Sequence, residues 1–468
     1  MKKASNVIAV LLIILSSSLL LWFVISKTGT NKNNYNFNEK DFFDSDVLSE
    51  TEEIDEQLLD KQLVVDNNKE KFSQKFTSVS EYLKFYNSSY SIDDFAEYII
   101  DNYGLDIFLN ICNIGQENLS RDFYLETGKS LFILLDEFIG NTNINHMESK
   151  NSEKINFMFA GDICLTEDGF VIDHYETTNV LKDWISESII ERTNNADVFM
   201  LNNEFCFSER GTALPGKLYT FRAMPGRIDI LKELGTDIVS LANNHVYDYG
   251  IEGFSDTLKV LDEAQIKRVG AGMNSSEAEN VIYYEINGMK IGIVSASRAE
   301  KYRFTPGAKD DSAGIFLMYD MKRILEVIEN ADSHCDFLIS YIHWGTEDSK
   351  YYEEYQREIA KQMIDAGTDA IIGGHPHVLQ GIEYIDDVPI VYSLGDFWFN
   401  YESKYTAMVN LSFDIDGIKE LEVIPCLQSD FKTTLITDEN SKKVYFDYLR
   451  GLSNGCNIDD LGIVTKYK

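Results

Sequence analysis

No Cys-x-x-C pair occurs in this chain, although it holds six cysteines: Cys112, Cys164, Cys206, Cys335, Cys426 and Cys456. That excludes zinc-ribbon and thioredoxin-type chemistry. Basic residues are scarce as well, Lys+Arg 42 against Asp+Glu 77, a formal charge of -35. A nucleic-acid partner is excluded on that balance, because phosphate contacts need a basic surface. Electrostatic docking on anionic lipid is disfavoured for the same reason. The simplest reading of the excess acid is a solvated, self-repelling surface. There is no internal repeat. Histidine is rare, seven in 468 residues, so the positions of those few carry information.

At 468 residues, with 44% apolar and 12% aromatic content, the chain can build a large core and is too long for one ordinary domain. Near the start, Val7 to Ser26 is one apolar run behind Lys2 and Lys3 and ahead of Lys27. It is long enough to span a bilayer, and the leading charges favour a cytoplasmic N-terminus. No small-x-small cleavage site follows Ile25, and no cysteine stands where a lipid anchor would need one. The expectation is an uncleaved transmembrane anchor over residues 1–27, with a cleaved signal peptide as the rival. Either way the bulk of the chain is expected outside the cell membrane. Disulfides are allowed there, but the sequence cannot pair the cysteines, and buried free thiols fit equally well.

Residues 28–71 read as an acidic stalk. Residues 72–140 show helical apolar spacing, with Ser91-Ile92-Asp93-Asp94 suited to a helix start. After a polar linker the texture changes to strands alternating with helices over 155–430, followed by a C-terminal extension, 431–468. Apolar runs at Ile155–Ala160, Ala196–Leu201, Asp237–Ala242, Ile291–Ser295, Asp336–Ile342, Asp369–Ile372 and Pro389–Leu394 read as strands. Ser255–Ala264, Met321–Asn330 and Tyr355–Ala366 read as helices. The alternation predicts an α/β fold with a largely parallel sheet covered on both faces. Thr406–Ile415 and Ile418–Ile424 read as a hairpin about Asp416-Gly417.

Four of the histidines follow such runs directly: His245 in Asn-Asn-His, His343 in His-Trp-Gly, and His375 and His377 in Gly-His-Pro-His. Strand ends are where α/β proteins hold ligands, and imidazole is the commonest metal ligand. With Asp162, Glu204 and Asn244 at similar strand ends, the set reads as a site for two divalent ions. Asp162 binds one, Glu204 bridges, Asn244 offers its amide oxygen, and His343, His375 and His377 complete the shells. His375 and His377 must both reach that place from one loop, and Gly373-Gly374 ahead of them permits the approach. His245 then points past the ions toward substrate, as a general acid or to stabilise an oxyanion, with Asp248 orienting its ring. Each piece alone has a plain structural reading, such as a turn, a cap or a hydrogen-bonding histidine; their joint placement favours the site.

The order of these motifs resembles the bacterial capsule synthesis family, often called the CapA or poly-γ-glutamate capsule family. The residues that carry the match are Gly161-Asp162, Asn202-Asn203-Glu204, Phe221-Arg222-Ala223-Met224-Pro225 and Ser240-Leu241-Ala242-Asn243-Asn244-His245. It continues through Asp248-Tyr249-Gly250, Val269-Gly270-Ala271-Gly272, His343-Trp344-Gly345-Thr346-Glu347, Gly374-His375-Pro376-His377-Val378 and Tyr392-Ser393-Leu394-Gly395-Asp396-Phe397. That family is similar to calcineurin-like metallophosphoesterases. The resemblance implies a four-layer α/β/β/α sandwich, two metal ions (manganese, zinc or iron), and work on an anionic poly-γ-glutamate polymer beside other capsule synthesis membrane proteins. The chain departs from the pattern at three places. Cys164 stands where Asp-x-His would put a second ligand, Asn203 replaces a leucine, and Asp396 replaces an asparagine. The extra carboxylate would add a ligand or change substrate preference.

Three readings of function follow: a metal-dependent hydrolase or transferase acting on capsule polymer, an extracellular phosphoesterase, and a non-catalytic assembly subunit of a membrane synthase. A polyanion needs local positive charge on so acidic a chain. Arg222 and Arg298 are the candidate substrate-binding residues, with Lys217, Arg227, Lys301 and Arg303 nearby in sequence; the alternative for all of them is ordinary surface.

Overall fold

The computed structural model describes residues 64–65, 68–69, 72–73 and 76–467, apart from 87, 114–118, 152, 168–170 and 301–303. The chain divides into two units, Met1–Asn67 and Asn68–Lys468. Of the first, only Val64 and Val65 are described, both helical. Val7–Ser26 lies outside the described residues, and among those described no helix is long and apolar enough to cross a membrane.

The second unit opens with helices α1 (Thr77–Phe85), α2 (Ile92–Tyr103), α3 (Leu105–Asn113), α4 (Leu119–Thr127) and α5 (Leu131–Ile139). Ser91 begins α2 with a reciprocal cap: its hydroxyl accepts from the Asp94 N–H while Asp94 takes the Ser91 N–H, which satisfies two otherwise unpaired donors. Phe72, Phe76, Phe95, Phe108 and Phe123 form the centre of this helical layer. One tie to the rest is ionic. Lys290 Nζ meets Asp136 Oδ2 at 2.5 Å with both side chains almost fully buried, and Tyr82 Oη donates to Asp136 Oδ1 at 2.5 Å.

The following strands are β1 (Ile155–Ile163), β2 (Val198–Asn203), β3 (Ile238–Ser240), β4 (Lys267–Val269), β5 (Ile282–Ile286), β6 (Met289–Ser297), β7 (Phe337–His343), β8 (Ala370–Gly374), β9 (Ile382–Ile385) and β10 (Val388–Val391). Then come β11 (Asp396–Trp398), β12 (Lys404–Asp414), β13 (Gly417–Ser429), β14 (Lys432–Leu435), β15 (Cys456–Ile458) and β16 (Ile463–Lys466). The α/β class is as expected, but the one largely parallel sheet read from the alternation is not what forms; there are two sheets, as the family resemblance implied. One sheet runs β5-β6-β7-β8-β10-β9; the other runs β15-β16-β13-β12-β1-β2-β3-β4, with β11 beside β1 and β14 beside β13. The main parallel pairings are β1-β2-β3-β4 with β11 on β1, and β6-β7-β8-β10; two-residue parallel pairings also join Asn145–His146 to β5 and Cys206–Phe207 to Arg222–Ala223.

Core packing explains the difference. Phe157, Phe159, Val198 and Met200 from one sheet interdigitate with Ile291, Ile293, Ile339 and Tyr341 from the other. The outer face of the β1 sheet packs on α6 (Glu187–Asn195), α7 (Ile228–Glu233) and α8 (Gly250–Glu263) through Ile189, Leu231, Phe254 and Leu258. The outer face of the β7 sheet packs on α9 (Met321–Asp332) and α10 (Glu354–Asp365) through Ile324, Ile328, Ile359 and Met363. The layers are therefore helix, sheet, sheet, helix. A strand buried on both faces carries the same apolar run whether helices or a second sheet cover it, so the sequence pattern does not separate the two cases. The last segment returns to this core: α11 (Glu439–Leu452) inserts Tyr445, Phe446 and Leu449 between the layers.

The end of the sheets where parallel strands begin is pinned by aspartates. Asp197, just before β2, accepts the Asn156 N–H at 2.8 Å; Asp237, before β3, accepts that of Phe199 at 2.8 Å. Asp336 and Asp369, before β7 and β8, do the same for Lys290 and Leu338 at 2.7 and 2.8 Å. Each carboxylate satisfies a neighbour's N–H where the ladder starts. The opposite ends are left for chemistry.

Candidate metal centre

At the C-terminal ends of β1, β2, β3, β7 and β8 the two sheets bring their polar residues to one point. Asp162 lies next to the last residue of β1, and Glu204 follows β2. Asn244 is in the turn after β3, His343 ends β7, and His375 and His377 follow β8. Asp162, Glu204 and His343 are 0% exposed. The donor atoms of Glu204, His375 and His377 lie within 4.8 Å of one another, as do those of Asp162, Glu204 and His343, and of Asp162, His377 and Asp396. Glu204 belongs to two of these groups: its Oε1 is 3.6 Å from His343 Nε2 and 3.9 Å from His377 Nε2. His343 Nε2 is also 2.9 Å from Asn244 Oδ1. All six expected ligands are thus gathered.

The backbone bends to achieve this. His375 and His377 have φ of 97° and 57°, a region that costs a non-glycine residue energy and persists only when its surroundings enforce it. The His375 N–H donates to Asp162 Oδ2 at 3.2 Å. A Cβ on Gly374 would stand 2.9 Å from Asp162 Oδ1, and one on Gly161 would stand 1.9 Å from the Gly395 oxygen. These glycines let carboxylate and backbone approach.

Asparagines form the scaffold under the donors. Asn202 Nδ2 donates to Asp162 Oδ1 at 2.7 Å and to Glu204 Oε2 at 3.1 Å, and its own Oδ1 accepts from Asn243 Nδ2 at 2.9 Å. Asn243 Oδ1 then holds the N–H groups of His245 and Val246 at 3.0 and 2.9 Å. Asn202 was not among the expected site residues. The signal for it exists, since Asn202 and Glu204 are two apart and a strand puts such residues on one face.

The residues fit bound cations. Glu204 Oε1, Asp396 Oδ2 and His375 Nδ1 are buried with no hydrogen-bond partner, a state that costs free energy unless another group fills it. Burial raises the Asp162 carboxyl to about 6, with His377 pulling down and Asp396 pushing up. Burial and then Asp162 hold Glu204 well above the usual carboxylate range. Burial and neighbouring imidazoles depress His343 and His375 far below theirs. Crowded carboxylates beside neutral imidazoles are a donor set that a dication neutralises.

His245 is placed apart from this set. Its Nδ1 is 2.7 Å from Asp248 Oδ2 and its ring lies 4.3 Å from that of Phe221. Burial lowers its pKa to about 4 against the pull of Asp248. Lys217 was a candidate for local positive charge at the site, with ordinary surface as the alternative. It is instead buried, its Nζ 2.6 Å from Asp248 Oδ1 and donating also to the Asn244 carbonyl. Arg227 is engaged by Glu167 and Glu176, so it offers no free charge. Lys301 and Arg303 lie outside the described residues. Arg222 stacks on Tyr249 at 4.1 Å, and Arg298 lies 4.8 and 5.4 Å from the rings of Tyr319 and Tyr355. Among the described residues neither has a carboxylate partner. The Arg298 N–H donates to the His343 carbonyl at 2.8 Å, which ties it to the end of β7. Cys164 belongs to none of the donor groups among the described residues; burial raises its thiol well above the ordinary value. All six cysteines are buried, and among the described residues no disulfide joins them.

A family model described as bacterial capsule synthesis protein PGA_cap matches residues 156–401, just over half of the chain. The capsule biosynthesis protein CapA of Bacillus anthracis is 27% identical over 322 residues, covering 66% of this chain and 76% of that protein. The PGA biosynthesis protein CapA of Bacillus subtilis (strain 168) is 34% identical over 202 residues, covering 42% and 52%. The chain therefore spans about three quarters of the first relative and about half of the second. A solved 5'-nucleotidase from Candida albicans SC5314 aligns at 15% identity with a TM-score of 0.35, over 64% of this chain and 54% of that one. That likeness is too slight to bear on fold or function.

Proposed function

The chain belongs to the bacterial capsule synthesis protein family PGA_cap, and from that premise we propose that it serves poly-γ-glutamate capsule biosynthesis as a two-metal hydrolase or transferase acting on the polymer. In this reading Val7–Ser26 anchors the chain in the cell membrane, with the rest outside beside the other capsule synthesis membrane proteins. The layered fold is read as metallophosphoesterase-like. The observation that carries the catalytic part is the convergence of Asp162, Glu204, Asn244, His343, His375 and His377, with buried donor atoms that no protein group satisfies.

Those six residues would hold the ions, and bound dications polarise a carbonyl or phosphoryl oxygen and make a nucleophile available at neutral pH. The chain's own groups do the rest. His245, with Nδ1 committed to Asp248, presents Nε2 as the proton carrier: it takes a proton from the nucleophile and delivers it to the leaving amine of a γ-glutamyl bond. Asp248 keeps the ring in one tautomer, and Lys217 fixes both Asp248 and the Asn244 carbonyl, so the proton carrier and the amide ligand move together. Arg222 and Arg298, which no carboxylate of the described chain neutralises, would bind the polymer's pendant α-carboxylates. Un-neutralised positive side chains on a chain of formal charge -35 are where a polyanion can dock.

The same arginines would accept a phosphate, so the test uses both substrate classes. The purified protein, loaded with manganese or zinc, is given γ-linked glutamate oligomers and, separately, a phosphodiester. Release of shorter γ-glutamyl products, abolished in His245→Ala, supports the polymer reading. Turnover of the phosphodiester alone replaces it with an extracellular phosphoesterase. If neither reacts and capsule output in cells survives all of these substitutions while still needing the folded protein, the chain is an assembly subunit.

A further inference from the structure

Asp396 is the acid that the six expected ligands leave out. It opens β11 and sits in register with Asp162 across the β1-β11 pair. It is 0% exposed. Its Oδ1 is 2.7 Å from His377 Nδ1. Its Oδ2 is buried without a hydrogen-bond partner. The cation facing Oδ2, Lys404 Nζ, is 3.8 Å away and is drawn toward Glu402 at 2.7 Å and Asp348 at 3.6 Å. Two buried carboxylates on adjacent strands repel unless a cation lies between them. The donor atoms of Asp162, His377 and Asp396 are within 4.8 Å of one another. Cys164, by contrast, packs with Ile163, Leu165 and Phe205 in the apolar core.

We propose that Asp396 is itself a metal ligand, supplying at the Asp162 position the donor that Cys164 does not. The inference rests on the metal-centre reading above. It makes the two ion positions chemically unlike. The donor group of Asp162, His377 and Asp396 is oxygen-rich, two carboxylates to one imidazole, whereas that of Glu204, His375 and His377 is nitrogen-rich, two imidazoles to one carboxylate. Carboxylate donors suit manganese or magnesium, whereas imidazole donors suit zinc. The chain is built for a mixed pair in which the third carboxylate lowers the net positive charge of the centre.

The test counts ions. Manganese-loaded wild-type protein is expected to hold about two ions per chain, giving the electron-paramagnetic signal of a coupled pair. Asp396→Ala should hold half as many, with the signal of an isolated ion. Asp396→His, which exchanges one donor for another, should keep both. A crystal structure of the manganese-loaded wild type, with anomalous scattering to place the ions, decides the matter even if the alanine variant does not fold: an Asp396 oxygen is expected at about 2.0–2.2 Å from an ion. If Asp396→Ala keeps both ions at undiminished affinity, or both Asp396 oxygens lie beyond about 3 Å from either ion, Asp396 only orients His377 and the proposal falls while the metal centre stands. If the wild type binds no ion, the metal-centre reading falls and this inference with it.

Discussion

Replacing Asp136 by alanine should strip the helical layer from the sheets it covers. Asp136 is the sole carboxylate within ion-pair distance of Lys290 among the described residues, at 2.5 Å, and the two side chains are 4% and 1% exposed. The same carboxylate accepts from Tyr82 Oη at 2.5 Å and from Asn141 Nδ2 at 2.6 Å. The substitution therefore leaves an ammonium in a dry site with only the phenol oxygen of Tyr82, 2.9 Å away, to accept from it. Breaking a buried pair by removing one member costs about 3–5 kcal/mol. Removing both charges is a different matter: Asp136→Leu with Lys290→Met exchanges a desolvated pair for apolar contact and should be within about 1–2 kcal/mol of the wild type. Urea denaturation gives the energies, and limited proteolysis between residues 76 and 140 shows where the structure opens. A cost below about 1 kcal/mol for Asp136→Ala, or a double variant as damaged as the single one, would refute the view that this pair holds the layer through an otherwise unpaid charge.

Other outcomes follow from the same geometry. His375→Ala should lower metal content, measured by elemental analysis, because it removes an imidazole from the donor set, whereas His245→Ala should keep metal and fold but lose activity by about 100-fold or more. Gly161→Ala would put a Cβ 1.9 Å from the Gly395 oxygen; it should part β1 from β11 and lower the melting temperature together with metal binding. Burial raises the half-buried Asp369 carboxyl to about 7, so the folded chain holds a proton between about pH 4 and 7 that the unfolded chain has released. Stability from this group is full below that window and lost as pH rises through it. Asp369→Asn should flatten the trend, with a gain of about 1–2 kcal/mol at pH 8 and little at pH 4 in denaturant titrations. Protease added to whole cells should degrade the chain beyond residue 28, and recovery of the intact protein from the cytosol would contradict the membrane proposal.

The candidate centre was legible because its histidines sit in short polar motifs that follow apolar runs. Burial sets the strand, and the first polar residue after it has only the sheet edge to occupy. The same rule gave the strand and helix positions to within a few residues at Met321–Asp332 and Phe337–His343. What could not be read depends on contacts between distant parts of the chain. Lys290 looks like any lysine in a strand until the helix carrying Asp136 covers it. Lys217 looks like surface charge until the turn after β3 folds back over it. Two facing sheets and one sheet between helices share one hydrophobic pattern, so the split into two sheets had no local signature. Asn202 could have been found from its spacing to Glu204, because that spacing alone predicts a shared face.

The donors at the centre come from two sheets, Asp162, Glu204 and Asn244 from one and His343, His375 and His377 from the other, with at least 98 intervening positions between Asn244 and His343. Neither sheet can assemble the set alone. Closing so long a loop has an entropic cost that is recovered only when the sheets dock, so the centre is completed late in folding. Ion capture would then report that the two halves have closed, and withdrawing the ions would weaken the seam between them. A substitution that loosens that seam, such as Tyr341→Phe with loss of its hydroxyl contact to the Ala160 carbonyl at 3.0 Å, would announce itself as a leaking ion before any strand or helix is lost.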